Sequence, residues 1–96
     1  MGMDKTPPHP KLKAIGERLE ALREAFDLTQ IEFAARAGIA QNTYNQYARG
    51  KNLPRLDFAE KICDEYGVTL DWIYRGDQSG LPVHIANLLH KQAQPV

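Results

Sequence analysis

The chain has 96 residues, 43% of them hydrophobic and 25% charged, which is enough for one small globular core and too few for two. No apolar run approaches the roughly 20 residues that a membrane-spanning helix needs, and a single cysteine, Cys63, excludes an intramolecular disulfide. The three histidines, His9, His84 and His90, do not have metal-ligand spacing, so the expectation is a soluble cytoplasmic protein with no cofactor, no metal and no membrane partner.

Twelve basic residues balance twelve acidic ones, but unevenly along the chain. Residues 1–28 are neutral. Between 29 and 56, Arg36, Arg49, Lys51 and Arg55 face Glu32 alone, a net charge of +3. From 57 to 96, Lys61, Arg75 and Lys91 face Asp57, Glu60, Asp64, Glu65, Asp71 and Asp77, a net charge of −3. The positive middle is the part suited to a polyanion.

In chain order, residues 1–10 carry Pro7, Pro8 and Pro10 without apolar periodicity and read as a flexible N-terminal arm. Leu12, Ile15, Leu19, Leu22 and Phe26 then recur every three or four residues, predicting a helix over 11–26. Thr29 followed by Glu32 is a capping box for a second helix that turns Phe33, Ala34 and Ala37 inward and stops at Gly38. A third helix follows from about Gln41 to Arg49, with Tyr44 and Tyr47 toward the core. Leu53, Pro54 and Arg55 lead to a second expected capping box, Asp57 with Glu60, and a helix burying Phe58, Ala59, Ile62, Cys63 and Tyr66 up to Gly67. Thr69 caps a short helix through Leu70, Trp72 and Ile73, stopped by Gly76. After the turn at 77–80, the stretch from Pro82 to Leu89 predicts a sixth helix, whose Leu81, Ile85, Leu88 and Leu89 pack on the domain or on a second subunit. No segment alternates as a strand does. The expected fold is all-α: an arm at 1–10, a helix-turn-helix domain at 11–76, and a turn and helix at 77–96 as a candidate dimerisation element.

The third helix carries the informative chemistry. Opposite Tyr44 and Tyr47 it presents Gln41, Asn42, Asn45 and Gln46, whereas a merely solvated face usually carries Glu, Lys and Arg, because Asn is a poor helix former. An amide offers a donor and an acceptor in one plane, matching the N6 and N7 edge of adenine in the major groove. These four are the candidate base-reading residues. Candidate phosphate contacts surround them: Gln30 in the first turn of the second helix, and Thr43, Arg49, Lys51, Asn52 and Arg55 on the other side. Arg36 suits phosphate or the terminal carbonyls of the second helix equally well. No nucleophile sits beside a base, and no glycine loop cradles a phosphate, so no enzymatic activity is expected.

Leu28-Thr29-Gln30, Phe33-Ala34, Ala37-Gly38-Ile39, Thr43-Tyr44, Arg49-Gly50-Lys51, Leu53-Pro54 and Gly67-Val68-Thr69-Leu70-Asp71-Trp72 together resemble the lambda-repressor/Cro-like (XRE-type) family of bacterial and phage transcriptional regulators, over about residues 12–76. The resemblance implies a five-helix DNA-binding domain that binds double-stranded DNA as a homodimer. It also implies base contacts from the start and middle of the third helix, with phosphate contacts from the start of the second helix and the loop after the third. The sixth helix is an addition. Two positions depart from the pattern: Ala40 stands where a Ser or Thr commonly caps the third helix, and Ala48 where a Glu is frequent. The first substitution gives up about 1 kcal/mol of capping; the second leaves Arg49 freer to reach phosphate. The expected function is a sequence-specific regulator, a repressor on a palindromic operator. The alternative is an antitoxin-type interaction protein that binds DNA and neutralises a partner protein such as a toxin.

Overall fold

A computed structural model describes residues 9–93; the remainder of the expected arm, residues 1–8, and residues 94–96 lie outside the described residues. Six helices follow one another, α1 (Pro10–Ala25), α2 (Gln30–Ala37), α3 (Gln41–Ala48), α4 (Leu56–Tyr66), α5 (Leu70–Arg75) and α6 (Val83–Ala93), with no strand among the described residues.

The start of α1 corrects the expected boundary of the arm by one residue. Pro10 is helical rather than part of the arm, and the His9 imidazole accepts a hydrogen bond from the Lys11 N–H at 3.0 Å. Proline suits the first helical position because its fixed φ is already helical and its missing N–H would have had no partner there. At the other end Asp27 takes the left-handed conformation (φ 57°), and the Leu28 N–H returns to the Arg23 carbonyl.

Helix α2 is closed at both ends by local sequence. The Thr29 side chain accepts from the Glu32 N–H at 3.1 Å, and the Glu32 carboxylate accepts from the Thr29 N–H at 3.0 Å. Gly38 is left-handed (φ 73°), so Ile39 and Gly38 donate back to the Ala34 and Ala35 carbonyls. That return makes the tight turn into α3.

Helix α4 differs from expectation. It starts at Leu56 with Arg55 as its cap residue, and the Asp57–Glu60 capping box does not form, because Asp57 already lies inside the first turn. Tertiary contacts set this start: the Tyr74 hydroxyl donates to the Pro54 carbonyl at 2.7 Å, and the Arg55 N–H donates to the Tyr47 hydroxyl at 3.4 Å. Asp57 instead faces Arg55 at 3.6 Å, a largely exposed pair of little energetic value.

One core unites the elements. Ile15, Leu19 and Leu22 of α1 are buried with Phe33, Tyr44, Ile62 and Ile73. Phe33 stacks on Tyr66 with ring centroids 4.2 Å apart, and the Tyr66 hydroxyl donates to the Phe33 carbonyl at 2.8 Å, which ties α2 to α4. Side chains of this size each contribute roughly 1.5–3 kcal/mol through burial. Cys63 and Trp72 belong to the same core, Cys63 at its half-buried edge, where burial and the charges of Asp64 and Glu60 push its thiol up to about 11. Leu81, Ile85 and Leu89 are buried as well, with α6 lying on α1, so most of the apolar stripe of α6 packs within its own domain, while Val83 is exposed.

Helices α1 and α3 cross at Gly16. A Cβ at that position would lie 2.3 Å from the Ala48 carbonyl oxygen, so only glycine permits the approach. Ala48, half-buried at the crossing, belongs to the same close contact.

Candidate nucleic-acid interface

Helix α3 is held by its buried face and left open on the other. Tyr44 and Tyr47 are buried; Gln41, Asn42, Thr43 and Gln46 are exposed, and Asn45 is half-buried. As the sequence indicates, Ala40 is the cap residue of α3 and makes no side-chain cap, so the first-turn N–H groups beside Gln41, Asn42 and Thr43 have no side-chain partner.

The predicted base-reading and phosphate-contacting residues interlock at two points. Asn45 Nδ2 donates to Gln30 Oε1 at 3.4 Å, joining the start of α2 to the middle of α3. Asn52 Nδ2 donates to Gln46 Oε1 at 3.5 Å, joining the loop after α3 to its exposed face. Thr43 and Arg55 line a shallow groove of about 320 Å³ with Ala40, Tyr47 and Lys61, between the start of α3 and the start of α4. Arg49 and Lys51 are exposed at the far end of α3.

Two contributors were not visible in the sequence. Lys61 of α4 places Nζ 3.4 Å from the Gly38 carbonyl, taking the role at the α2 terminus that local sequence offered to Arg36; it also brings a further cation to the groove. The second is Glu20, at the centre of α1. Its carboxylate accepts from Arg23 (2.7 Å to Nη2), from the buried Tyr44 hydroxyl, and from Gln30 Nε2 at 3.5 Å. Burial works to raise the Glu20 pKa, but the hydrogen bonds from Arg23 and Tyr44 and the Arg23 charge outweigh it, so the group is held below the usual carboxylate value and stays ionised at neutral pH. Arg23 in turn donates to the Leu28 carbonyl at 2.7 Å. One carboxylate thus ties α1 to α3 through Tyr44 and meets α2 only through a long contact from Gln30. Arg23 lies at the helical i,i+3 spacing, but Gln30 and Tyr44 lie 10 and 24 residues away, at no spacing that a local pattern would reveal.

A helix-turn-helix family model matches residues 19–73, from the middle of α1 into α5. This chain belongs to the XRE-type helix-turn-helix family. It is 33% identical over 69 residues to the antitoxin PezA of Streptococcus pneumoniae, covering 72% of this chain and 44% of that protein. Over 53 residues it is 38% identical to the cryptic phage CTXphi transcriptional repressor RstR of Vibrio cholerae, covering 55% of this chain and 48% of that protein. A second RstR, from a serotype O1 strain, is 35% identical over 57 residues, 59% of this chain and 51% of that protein. The chain spans about half the length of the curated relatives it matches. No solved structure matches it. The family match ends before α6, so the helix laid on α1 is outside the shared motif.

Proposed function

We propose that this chain is a sequence-specific DNA-binding repressor that places α3 in the major groove of a palindromic operator and acts as a homodimer. The observation that carries the reading is the face of α3. It exposes Gln41, Asn42 and Gln46 on a helix anchored from behind by two buried tyrosines, within a family whose members include phage repressors. An exposed amide row is a poor way to stabilise a helix and a good way to read base edges, where each bidentate pair discriminates by roughly 1–3 kcal/mol. Gln30, Thr43, Arg49, Lys51, Asn52 and Arg55 then fix the register through phosphates. The homodimer would set two α3 helices about 34 Å apart in successive grooves, with α5 and α6 as the candidate contacts.

Selection of bound sequences from random duplex DNA tests this reading. The expected result is an enriched inverted repeat with half-site centres about 10 base pairs apart. Enrichment of a single unrepeated half-site would remove the dimer, and no enrichment would remove sequence-specific binding.

The match to PezA supports a second reading, an antitoxin that also neutralises a protein partner through the acidic region that follows residue 56. Co-purification of a stoichiometric small protein whose toxicity this chain suppresses would establish it; a chain that represses from its operator without such a partner would leave the repressor reading.

A further inference from the structure

Among the described residues, Ile31, Leu53, Leu56 and Val83 are the large apolar side chains left exposed. Scattered singly, such residues need no explanation. Leu53 and Leu56 are not scattered. At 59% and 56% exposure they flank Pro54 and Arg55, the segment that the half-buried Tyr74 of α5 pins by its hydroxyl at 2.7 Å from the Pro54 carbonyl. Arg55 lines the groove it shares with Thr43 and Lys61, so it leads away toward α3 and leaves the leucines beside Tyr74.

Charges of opposite sign border this patch. Beyond Tyr74, between the start of α1 and the end of α5, lies a shallow groove of about 430 Å³ lined by Lys11, Arg18 and Arg75 with no acidic residue. Arg18 is fixed there, its Nε donating to the Ile73 carbonyl at 3.1 Å. The opposite border is the outer side of α4, where Asp57, Glu60 and Asp64 are exposed and Lys61 is turned to the Gly38 carbonyl. Burial raises the Tyr74 pKa and the charges of Asp57 and Glu60 add to it, so the acidic margin begins beside the ring that closes the basic groove.

A surface with an apolar middle, a basic margin and an acidic margin is complementary to itself. Under a two-fold axis through the middle, the apolar residues of two copies meet, and each basic margin meets the other copy's acidic one. Leucines alone cannot cover the roughly 800 Å² per partner of a standard interface, so both margins must lie within it. We propose that Leu53, Leu56 and Tyr74 are the centre of the homodimer contact, and that the Lys11, Arg18 and Arg75 groove of one copy takes the acidic side of α4 from the other. This rests on the homodimer reading and gives it a surface.

Sedimentation equilibrium of the full chain, free and on its operator, tests the proposal. Leu53→Ser and Leu56→Ser combined in one chain should raise the dimer dissociation constant by about tenfold or more, whereas Val83→Ser on α6 leaves it unchanged. Lys11→Glu and Glu60→Lys each alter one margin and serve where the serine variant does not fold. Alone, each should dimerise more weakly than wild type. Mixed in equal amounts they should regain affinity, because a mixed pair sets the two intact margins together and the two altered ones together. A structural defect is not mended by mixing.

A wild-type dimer that neither the serine nor the charge substitutions weaken has its contact elsewhere, which overturns the proposal and leaves the homodimer reading standing. Charge variants that weaken the dimer without recovery on mixing overturn the pairing of the margins. A wild-type chain that stays monomeric, free and on the operator, removes the homodimer reading and the proposal with it, and leaves the patch to a different protein.

Discussion

Helices α2 and α3 have the same length, eight residues each, and are stabilised by opposite means. Helix α2 has a complete capping box at one end, a left-handed glycine at the other and an aromatic stack on its buried face. Helix α3 has an uncapped start at Ala40 and an amide-rich outer face. It keeps its place through the Gly16 crossing and through Tyr44, whose hydroxyl reaches Glu20 on α1. A helix that must offer its polar groups to another molecule cannot spend them on itself. In this domain α1 and α2 supply the order that α3 lacks.

The comparison can be broken most severely at the crossing. Gly16→Ala puts a methyl group 2.3 Å from a backbone oxygen, which no side-chain rearrangement relieves, so α3 must be pushed off α1. We expect a loss of roughly 2–4 kcal/mol, from the middle of the usual overpacking range to somewhat beyond it, read as a lower midpoint in urea denaturation. An unchanged midpoint would mean that α1 does not hold α3 as described. Next in size, Thr29→Ala removes the capping box and should cost about 1 kcal/mol by the same measurement. Its effect belongs to α2, so sequence preference in DNA binding should be retained.

Smaller, and opposite in sign, is Ala40→Ser. The cap residue already has the extended backbone that a capping serine needs (φ −73°, ψ 139°), so the hydroxyl should satisfy a first-turn N–H and add about 0.5–1 kcal/mol. Hydrogen exchange should slow at Asn42 and Thr43. If exchange there is already slow in the parent chain, α3 is better ordered than its missing cap implies.

Local chemistry made α2 legible in the sequence: a Thr-x-x-Glu pattern and a glycine report directly on a helix start and stop. The inward tyrosines of α3 and its uncapped start could be read in the same way. The start of α4 could not, although Asp57 and Glu60 have the same spacing as Thr29 and Glu32. The difference comes from Tyr47 and Tyr74, whose hydroxyls pin Arg55 and Pro54 and begin the helix two residues earlier. The candidate interface divides in the same manner. Its outer residues follow from the helical period, while Glu20 and Lys61 enter only because folding brings α1 and α4 beside the motif.

The central claim is that the outer face of α3 reads DNA sequence, and its most direct test is to compare the sequences selected by the parent chain with those selected by Gln41→Ala and Asn42→Ala. The account predicts that both variants remain folded and bind DNA while losing preference at one or two base pairs in each half-site, by about tenfold at each. Retention of the full preference by both variants would contradict it and place the reading surface elsewhere on the domain.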